Sequence, residues 1–350
     1  MSVLLPCRNE RPFIGDCLDS ILAGDYPPDR YELLVIDGMS DDGTREAVER
    51  TARGLSRVRL LDNARRITPA GLNLGIGAAR GELIAWMSAH NVYREDYLRR
   101  CVEAMEAYGA DNAGGGIVTV ARGRGRWADA VVAVLSHRFG VGNSEFRTSA
   151  GQGEPRWADT VFGGCYRREV FEKVGLFNER LVRGQDMEFN LRMHRAGCRT
   201  LFVPAVTSQY FARTEPVEFV RHTFTNGVWA ILPFAYSDGM PVSLRHLVPL
   251  GFVAALAAGL ALAVLTPVGW WVVALILAGY LAATMVFSAG GAARGLDSRA
   301  AILMPPAFLL LHMSYGLGSL WGAVRLLLKP AFWRKLRPAK PTLRRIERSG

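Results

Sequence analysis

The chain has 350 residues, enough for more than one domain, with half of them hydrophobic and a formal net charge of +10. Apolar residues cluster near the C-terminus: residues 247–293 and 300–324 contain no Asp, Glu, Lys or Arg. Runs this long argue against a purely soluble protein, since a bilayer core takes roughly 20 apolar residues per helix.

The charge is also localised. From Lys329 onward there are eight Lys or Arg against one acid, Glu347, a net of +7. Basic residues just after a membrane segment favour the cytoplasmic face and anionic lipid. The near-neutral remainder, without interleaved aromatic and basic residues, counts against nucleic acid as a partner. The apolar runs lack the ionisable residues that a transport pathway would need. Five cysteines, Cys7, Cys17, Cys101, Cys165 and Cys198, are widely spaced without CxxC. They fit buried thiols in a reducing compartment better than a disulfide frame or a zinc site.

In chain order, "SVLLP" already reads as a strand, so the N-terminal domain is expected to stay in the cytosol. "FIGDCLDSILAG" has helical apolar spacing and ends at Gly24. "YELLVIDGMSDDGT" gives a second buried strand, Leu33 to Ile36, ending in an acidic, glycine-rich turn. "TREAVERTARGL" predicts a helix capped by Thr44, "VRLLDN" a third strand, "PAGLNLGIGAARG" a helix and "ELIAWM" a fourth strand. "GIGAARG" lies inside a helical pattern, so it is not a dinucleotide-binding turn. Alternation of strands and helices predicts an α/β fold with a mostly parallel sheet covered on both faces. Ligands of such sheets bind at the carboxyl ends of the strands. Arg8, Asn9, Glu10, Asp37, Asp41, Asp42 and the corner Ser88-Ala89-His90 should therefore share one rim.

Residues 111–160 carry glycines, a basic patch and the long polar stretch "GVGNSEFRTSAGQGEPRW", which reads as a functional or mobile loop. Order returns with "DTVFGGCYRREVFEKVGLF" and with a helix beginning near Asp186 in "GQDMEFNLRMHRAG". "EPVEFVRHTFTNGVWAILPFA" mixes apolar, aromatic and basic residues. It fits either a membrane-surface helix or a soluble helix packed on the first domain.

The ordered set "LLPCRNE", "VIDGMSDDGT", "GLNLGIGAARGE", "FGGCYRREVFEKVGLFNERL" and "GQDMEFNLRMHRAG" resembles the family-two inverting glycosyltransferases of GT-A fold. "WADTVFGGCYRREVF" and "HMSYGLGSLWG" resemble its membrane-attached branch, which includes the glucosyltransferase of succinoglycan exopolysaccharide synthesis. The resemblance implies a nucleotide-sugar donor, with UDP the expected nucleotide, and a polyprenyl-linked or glycan acceptor. It implies Asp186 as the catalytic base, where the family more often has Glu at the position of Gln185. Pro6, Arg8, Glu10, Asp37, Asn73, Ser88 and Ala89 are the expected donor-binding residues. Gly164, Glu188, Arg192, Arg221 and Trp229 are expected on the acceptor side, and Arg213 near the diphosphate.

The corner Ser88-Ala89-His90 stands where the family usually has Asp-x-Asp. Imidazole is a tolerated manganese ligand, and a serine hydroxyl can ligate magnesium but brings no charge. Three arrangements are compatible with it: Mn2+ or Mg2+ held by His90, Ser88 and the donor diphosphate; a metal-free site using arginines; or an inactive scaffold subunit. The expected organisation is a cytosolic GT-A domain over 1–235, with an interface segment from about 213. An α-helical membrane domain should follow over 236–328, with segments near 247–265, 269–290 and 300–324, then a basic cytosolic tail over 329–350. The expected location is the inner (plasma) membrane, multi-pass. Three full spans would put the tail opposite the catalytic domain. Pro305-Pro306 and His312 therefore predict a re-entrant, interfacial or broken third segment.

Overall fold

The computed structural model describes residues 1–237, 240, 242–330 and 332–333. The predicted basic tail lies almost wholly outside them. The first half alternates β1 (Ser2–Cys7), α1 (Ile14–Leu22), β2 (Glu32–Asp37), α2 (Thr44–Ala52), β3 (Val58–Asp62), α3 (Thr68–Ala78) and β4 (Leu83–Trp86). It continues through β5 (Asn91–Tyr93), α4 (Tyr97–Tyr108), β6 (Asn112–Ala121), α5 (Arg126–Leu135), α6 (Arg138–Val141), α7 (Glu145–Thr148) and β7 (Arg156–Trp157). Then come β8 (Phe162–Arg167), α8 (Arg168–Val174), α9 (Gln185–Arg195), β9 (Thr200–Ala212) and α10 (Pro216–Ile231). Four C-terminal helices follow: α11 (Val248–Leu265), α12 (Val268–Ala293), α13 (Ser298–Ala301) and α14 (Met304–Leu327).

The strands form one mixed sheet in the order β3-β2-β1-β4-β8-β6-β9-β5, with β7 on β9. β1, β2, β3 and β4 are parallel, β8 runs antiparallel to β4 and β6, and β9 is parallel to β6. Alternate residues of β1 and β2 enter opposite cores. Val3, Leu5, Leu33 and Val35 pack with α1 and α4, whereas Leu4, Leu34 and Ile36 pack with α3, α8 and α9. A parallel strand covered on both faces must be apolar at every position, which explains the unbroken "VLL" and "LLVI" runs. The cysteines are all free and buried.

The stretch expected to be a long polar loop is built differently. Within 140–157 lie the single-turn helix α7 and the two-residue strand β7, whose Arg156 and Trp157 pair with Phe202 and Leu201 of β9. Elements this short have no readable period in the sequence.

Three C-terminal helical segments, Leu244–Leu265, Val268–Ala293 and Ser298–Leu327, are long and apolar enough to cross a membrane. The third is not broken: α14 is a continuous helix, and Pro305-Pro306 lie in its first turn, where a missing N–H leaves no bond unmade. Half of its most apolar stretch is buried, against 11% and 17% for the other two. α5, α10 and α14 share a core of Val131, Val134, Phe219, Phe308 and Leu311. α10 and α14 approach backbone to backbone. A Cβ on Gly227 would overlap the Tyr315 carbonyl, and one on Gly318 or Gly322 would overlap the carbonyls of Phe224 or Val228. Small residues four apart permit this close crossing. Two polar contacts reinforce it, Thr223 Oγ1 to Ser314 Oγ at 2.5 Å and Ser319 Oγ donating to Gly227 O at 3.2 Å.

Gly318→Val should force α14 off α10. The expected cost is about 1–3 kcal/mol, read as a lowered melting temperature of the detergent-solubilised protein; an unchanged melting temperature would contradict the close crossing.

Candidate active site

The carboxyl ends of β1, β2 and β4 meet where the strand order reverses, the position at which open α/β sheets bind ligands. Hydrogen bonds stitch the loops there together. Asn9 Nδ2 donates to Asp41 Oδ1 at 2.9 Å and Asp41 N to Asn9 Oδ1 at 3.1 Å, while Glu10 N donates to Thr44 Oγ1 at 2.8 Å. Asn9, Met39 and Arg66 have φ of 55°, 59° and 59°, and all three lie on this rim. Left-handed backbone at non-glycine residues is uncommon and gathers at functional sites.

A cavity of about 290 Å³ opens on this rim. Pro6, Arg8, Glu10, Ser88, Ala89 and His90 all line it, so most of the expected donor-binding residues come together. Gln185 also lines it, as do Asn63 and Arg66, which were not singled out in the sequence. Arg66 sits on a loop with no motif to mark it; its left-handed φ is visible only in three dimensions. His90 Nδ1 is 3.3 Å from Glu10 Oε1, and Ser88 Oγ is 3.2 Å from His90 Nε2. Tyr93, buried behind the corner, accepts from Ser88 N at 2.6 Å and donates to Ser88 O at 3.2 Å, which fixes the backbone of Ser88. Asp37 is buried just below the rim and accepts from Ser40 Oγ at 2.6 Å, with Arg45 Nη1 at 3.7 Å. Among the described residues no three His, Cys, Asp or Glu side chains converge as a metal cluster. Glu10 and His90 are the ligand-type pair on this rim.

A second, larger cavity of about 670 Å³ lies between the sheet domain and the C-terminal helices. Asp186 and Trp229 line it, together with Arg213 and Tyr210. Gly184, at φ 73°, turns the chain into α9, so Gln185 and Asp186 occupy the first turn. These two neighbours face different spaces: Gln185 lines the smaller cavity and Asp186 the larger. Burial raises the Asp186 carboxyl above the ordinary aspartate range, and backbone N–H groups of Asp186 and Met187 offset only part of that. The His90 ring packs edge-on against Tyr210 at 5.5 Å between centroids, so the two cavities share a wall.

Several expected site residues lie elsewhere. Asn73 is a brace: its amide donates to Phe177 O and Glu179 Oε1 at 2.9 Å, and its carbonyl accepts from Phe177 N at 2.9 Å. With its amide hydrogens and carbonyl engaged in holding the segment after α8, it does not line the smaller cavity. Gly164 lies within β8 opposite Trp86, and a Cβ there would overlap Asn112 Oδ1, so it serves close strand packing. Glu188 and Arg192 form a two-pronged pair at 2.8 and 3.0 Å, and Arg192 also donates to the carbonyls of Val174 and Leu176. They tie α9 to the end of α8. Arg221 is exposed on α10 and lines neither cavity.

Asn73→Ala should cost about 1–3 kcal/mol of stability, because it strips partners from buried backbone groups. It should leave nucleotide affinity, measured by calorimetric titration, unchanged; a large fall in affinity would return Asn73 to the donor site.

Residues 2–175 match the family described as Glycosyl transferase family 2. The succinoglycan biosynthesis protein ExoA of Rhizobium meliloti (strain 1021) is 31% identical over 279 residues, covering 78% of this chain and 82% of that protein. A dolichyl N-acetyl-alpha-D-glucosaminyl phosphate 3-beta-D-2,3-diacetamido-2,3-dideoxy-beta-D-glucuronosyltransferase of Methanococcus voltae is 26% identical over 233 residues, covering 65% of this chain and 71% of that protein. Among solved structures, the mannosyltransferase PcManGT from Pyrobaculum calidifontis, in complex with GDP-Man and Mn2+, superposes with a TM-score of 0.54 at 19% identity, covering 91% of this chain and 86% of that one. Residues 1–349 of S. aureus TarS, in complex with UDP-GlcNAc, give a TM-score of 0.50 at 15% identity, covering 93% and 91%. The likeness to these two structures concerns the fold, a GT-A-like domain followed here by apolar C-terminal helices. The chain belongs to glycosyltransferase family 2.

Proposed function

We propose that the chain is a membrane-bound inverting glycosyltransferase that moves a hexose from a UDP-sugar to a lipid-linked or polysaccharide acceptor at the inner leaflet, in exopolysaccharide synthesis. One observation carries this reading: Gln185 and Asp186, joined by one peptide bond, line two separate cavities, one at the sheet rim and one toward the C-terminal helices. The likeness to ExoA, a succinoglycan biosynthesis protein, supports the pathway class, and the UDP-GlcNAc complex of TarS supports the donor class.

In this reading the donor diphosphate lies near Arg8, Arg66 and His90, and the acceptor hydroxyl approaches Asp186 from the larger cavity. Asp186 takes the hydroxyl proton as the oxygen attacks the anomeric carbon, and the bond from that carbon to the diphosphate oxygen breaks. A carboxylate of raised pKa is a better proton acceptor near neutral pH than an ordinary aspartate. Arg8 and Arg66 offset charge on the departing diphosphate. Mn2+ or Mg2+ fits the corner only as an ion partly held by protein: Glu10 and His90 are ligands of suitable type, Ser88 adds a neutral oxygen, and donor phosphate and water would complete the shell. Such a cation, when bound, adds further positive charge where the diphosphate leaves.

Titration of UDP into the purified protein with Mn2+, Mg2+ or chelator tests the donor site. Binding should strengthen with Mn2+ and weaken in His90→Ala. Metal-indifferent binding would point to the arginines alone. A second reading, a catalytically impaired scaffold subunit of a polysaccharide assembly, rests on Ser88 occupying a position where the family usually has an acid; it requires that UDP, GDP and dTDP sugars all fail to bind or react. Asp186→Asn should lower kcat by about 10²–10⁴-fold while keeping UDP affinity. The base works as a carboxylate, so wild-type activity should fall on acidification through an apparent pKa above the usual aspartate value near 3.9.

The same reading places the catalytic domain and the basic tail in the cytosol. The burial of α14 against α10 and α5 supports a membrane hairpin of α11 and α12, with α14 riding on the catalytic domain. Single cysteines introduced in 334–350 should label only from the cytosolic side of sealed vesicles; labelling only from outside would make α14 a third full span.

A further inference from the structure

The larger cavity has two unlike ends. On the side of the sheet domain it is lined by Arg138, Arg147, Arg183 and Arg213, joined by Arg245 at the start of the first C-terminal segment, against a single carboxylate, Asp186. Among the described residues, none of these five arginines forms an ion pair with Asp or Glu. Their recorded partners are neutral. Arg183 Nη1 donates to Asn226 Oδ1 at 2.7 Å, Arg213 Nη1 to His222 Nδ1 at 2.5 Å, and Arg245 Nη1 to Asn143 Oδ1 at 3.1 Å.

Arg147 is the most telling. Its Nη1 is buried with no hydrogen-bond partner among the described residues. Its guanidinium lies over the rings of Tyr210 and Phe146, 5.2 and 5.5 Å from their centroids, so aromatic faces hold it in place without neutralising it. A buried cationic donor left unpaired is costly, and native proteins keep few of them without a reason. The surrounding positive charge is also felt by His222. Burial first, then Arg213, Arg183 and Arg147, push its imidazole down to about 3. It therefore stays neutral and accepts from Arg213. These charges converge on one space that contains no described counterion beyond Asp186.

The other end of the same cavity belongs to the apolar helices. Val248, Pro249 and Phe252 of α11, Tyr280 of α12, and Leu311 and Tyr315 of α14 line it. Phe252 and Tyr280 stack at 4.7 Å. A ligand matching both ends needs an anionic head of high charge density and an apolar chain continuing toward the membrane helices. Guanidinium groups favour phosphate geometry through paired N–H donors.

We propose that this cavity binds the phosphate or diphosphate of the acceptor's lipid carrier, with Arg147, Arg183 and Arg213 on the anion and the α11, α12 and α14 wall on the first part of the chain. The proposal rests on the reading of Asp186 as the base for an acceptor in this cavity. It adds the charged group that anchors the acceptor and the residues that hold it. With the phosphate held there, the sugar hydroxyl attached beyond it is directed at Asp186 on the same wall. A carrier without phosphate would leave Nη1 of Arg147 without a partner.

Farnesyl diphosphate, farnesol and inorganic pyrophosphate, each titrated into the full-length protein in detergent, provide the test. Farnesyl diphosphate should bind at least tenfold more tightly than either fragment. Arg147→Gln and Arg213→Gln should each weaken it at least tenfold while leaving UDP affinity within twofold. Phe252→Ala, at the apolar wall, should weaken farnesyl diphosphate and leave pyrophosphate unaffected, which keeps the test open if an arginine variant does not fold. Pyrophosphate binding as tightly as farnesyl diphosphate would identify a free-phosphate site and overturn the lipid assignment. Loss of UDP affinity in the arginine variants would assign the cluster to the donor and overturn it as well. Failure of farnesyl diphosphate to bind while UDP still binds sinks this inference alone; farnesyl diphosphate binding as expected while no UDP-sugar transfers its sugar to a glycosylated polyprenyl diphosphate sinks the functional reading alone.

Discussion

The site depends on two helix backbones meeting without side chains between them. Gly227 of α10 and Gly318 and Gly322 of α14 leave no room for a Cβ, so the most buried apolar helix is locked against the helix that follows β9. β9 carries Tyr210, which packs on His90 at the sheet-rim corner. α10 carries His222, Asn226 and Trp229, which line the larger cavity. One close crossing thus fixes the membrane-facing wall relative to the sheet rim. Close van der Waals approach, the apolar core shared with α5 and hydrogen bonds such as Thr223 to Ser314 carry the association.

The two cavities differ electrostatically in a way that suits the halves of a group transfer. The smaller one mixes signs, with Arg8 and Arg66 beside Glu10 and His90. A mixed lining can accept a diphosphate, with or without a cation, and still release it. The larger one is strongly cationic with one buried acid. Burial disfavours the charged form of Asp186, which makes it a stronger base when ionised. Gln185, whose Oε1 is buried without a partner among the described residues, contributes an amide rather than a second carboxylate beside it. Two acids there would repel and push one pKa up further.

How much of this was legible depended on the length of each element and on whether its signal was local. The unbroken apolar runs of β1 and β2 and the spacing of α1 announced a covered parallel sheet, and its rim followed from strand direction. Pro6, Arg8, Glu10 and Ser88-Ala89-His90 could be placed together because they lie at strand ends. Asn73 could not be judged from sequence, since its partners at Phe177 and Glu179 are about a hundred residues away. Arg147 and Arg183 carried no motif; one sits on a single-turn helix and the other in a loop before α9. The prolines of the third apolar run do not break it, because they fall in the first turn of α14, and proline in a first turn and proline mid-helix look alike until the helix start is known.

The corner without its usual pair of acids gains from this geometry. Ser88 brings no charge, but Glu10, from the loop after β1, lies 3.3 Å from His90 Nδ1 across the rim. A negative charge thus reaches the corner from β1 rather than from β4. His90 can hold that contact through Nδ1 while Nε2, among the described residues, meets the Ser88 hydroxyl, a neutral partner at 3.2 Å. Replacing one neutral hydrogen bond costs about 1 kcal/mol, a small barrier to turning Nε2 toward a cation or a phosphate oxygen. The carboxylate opposite would orient the ring for either partner, as second contacts of metal-binding histidines commonly do. The same pair is therefore suited to either a cation or a phosphate oxygen at this corner.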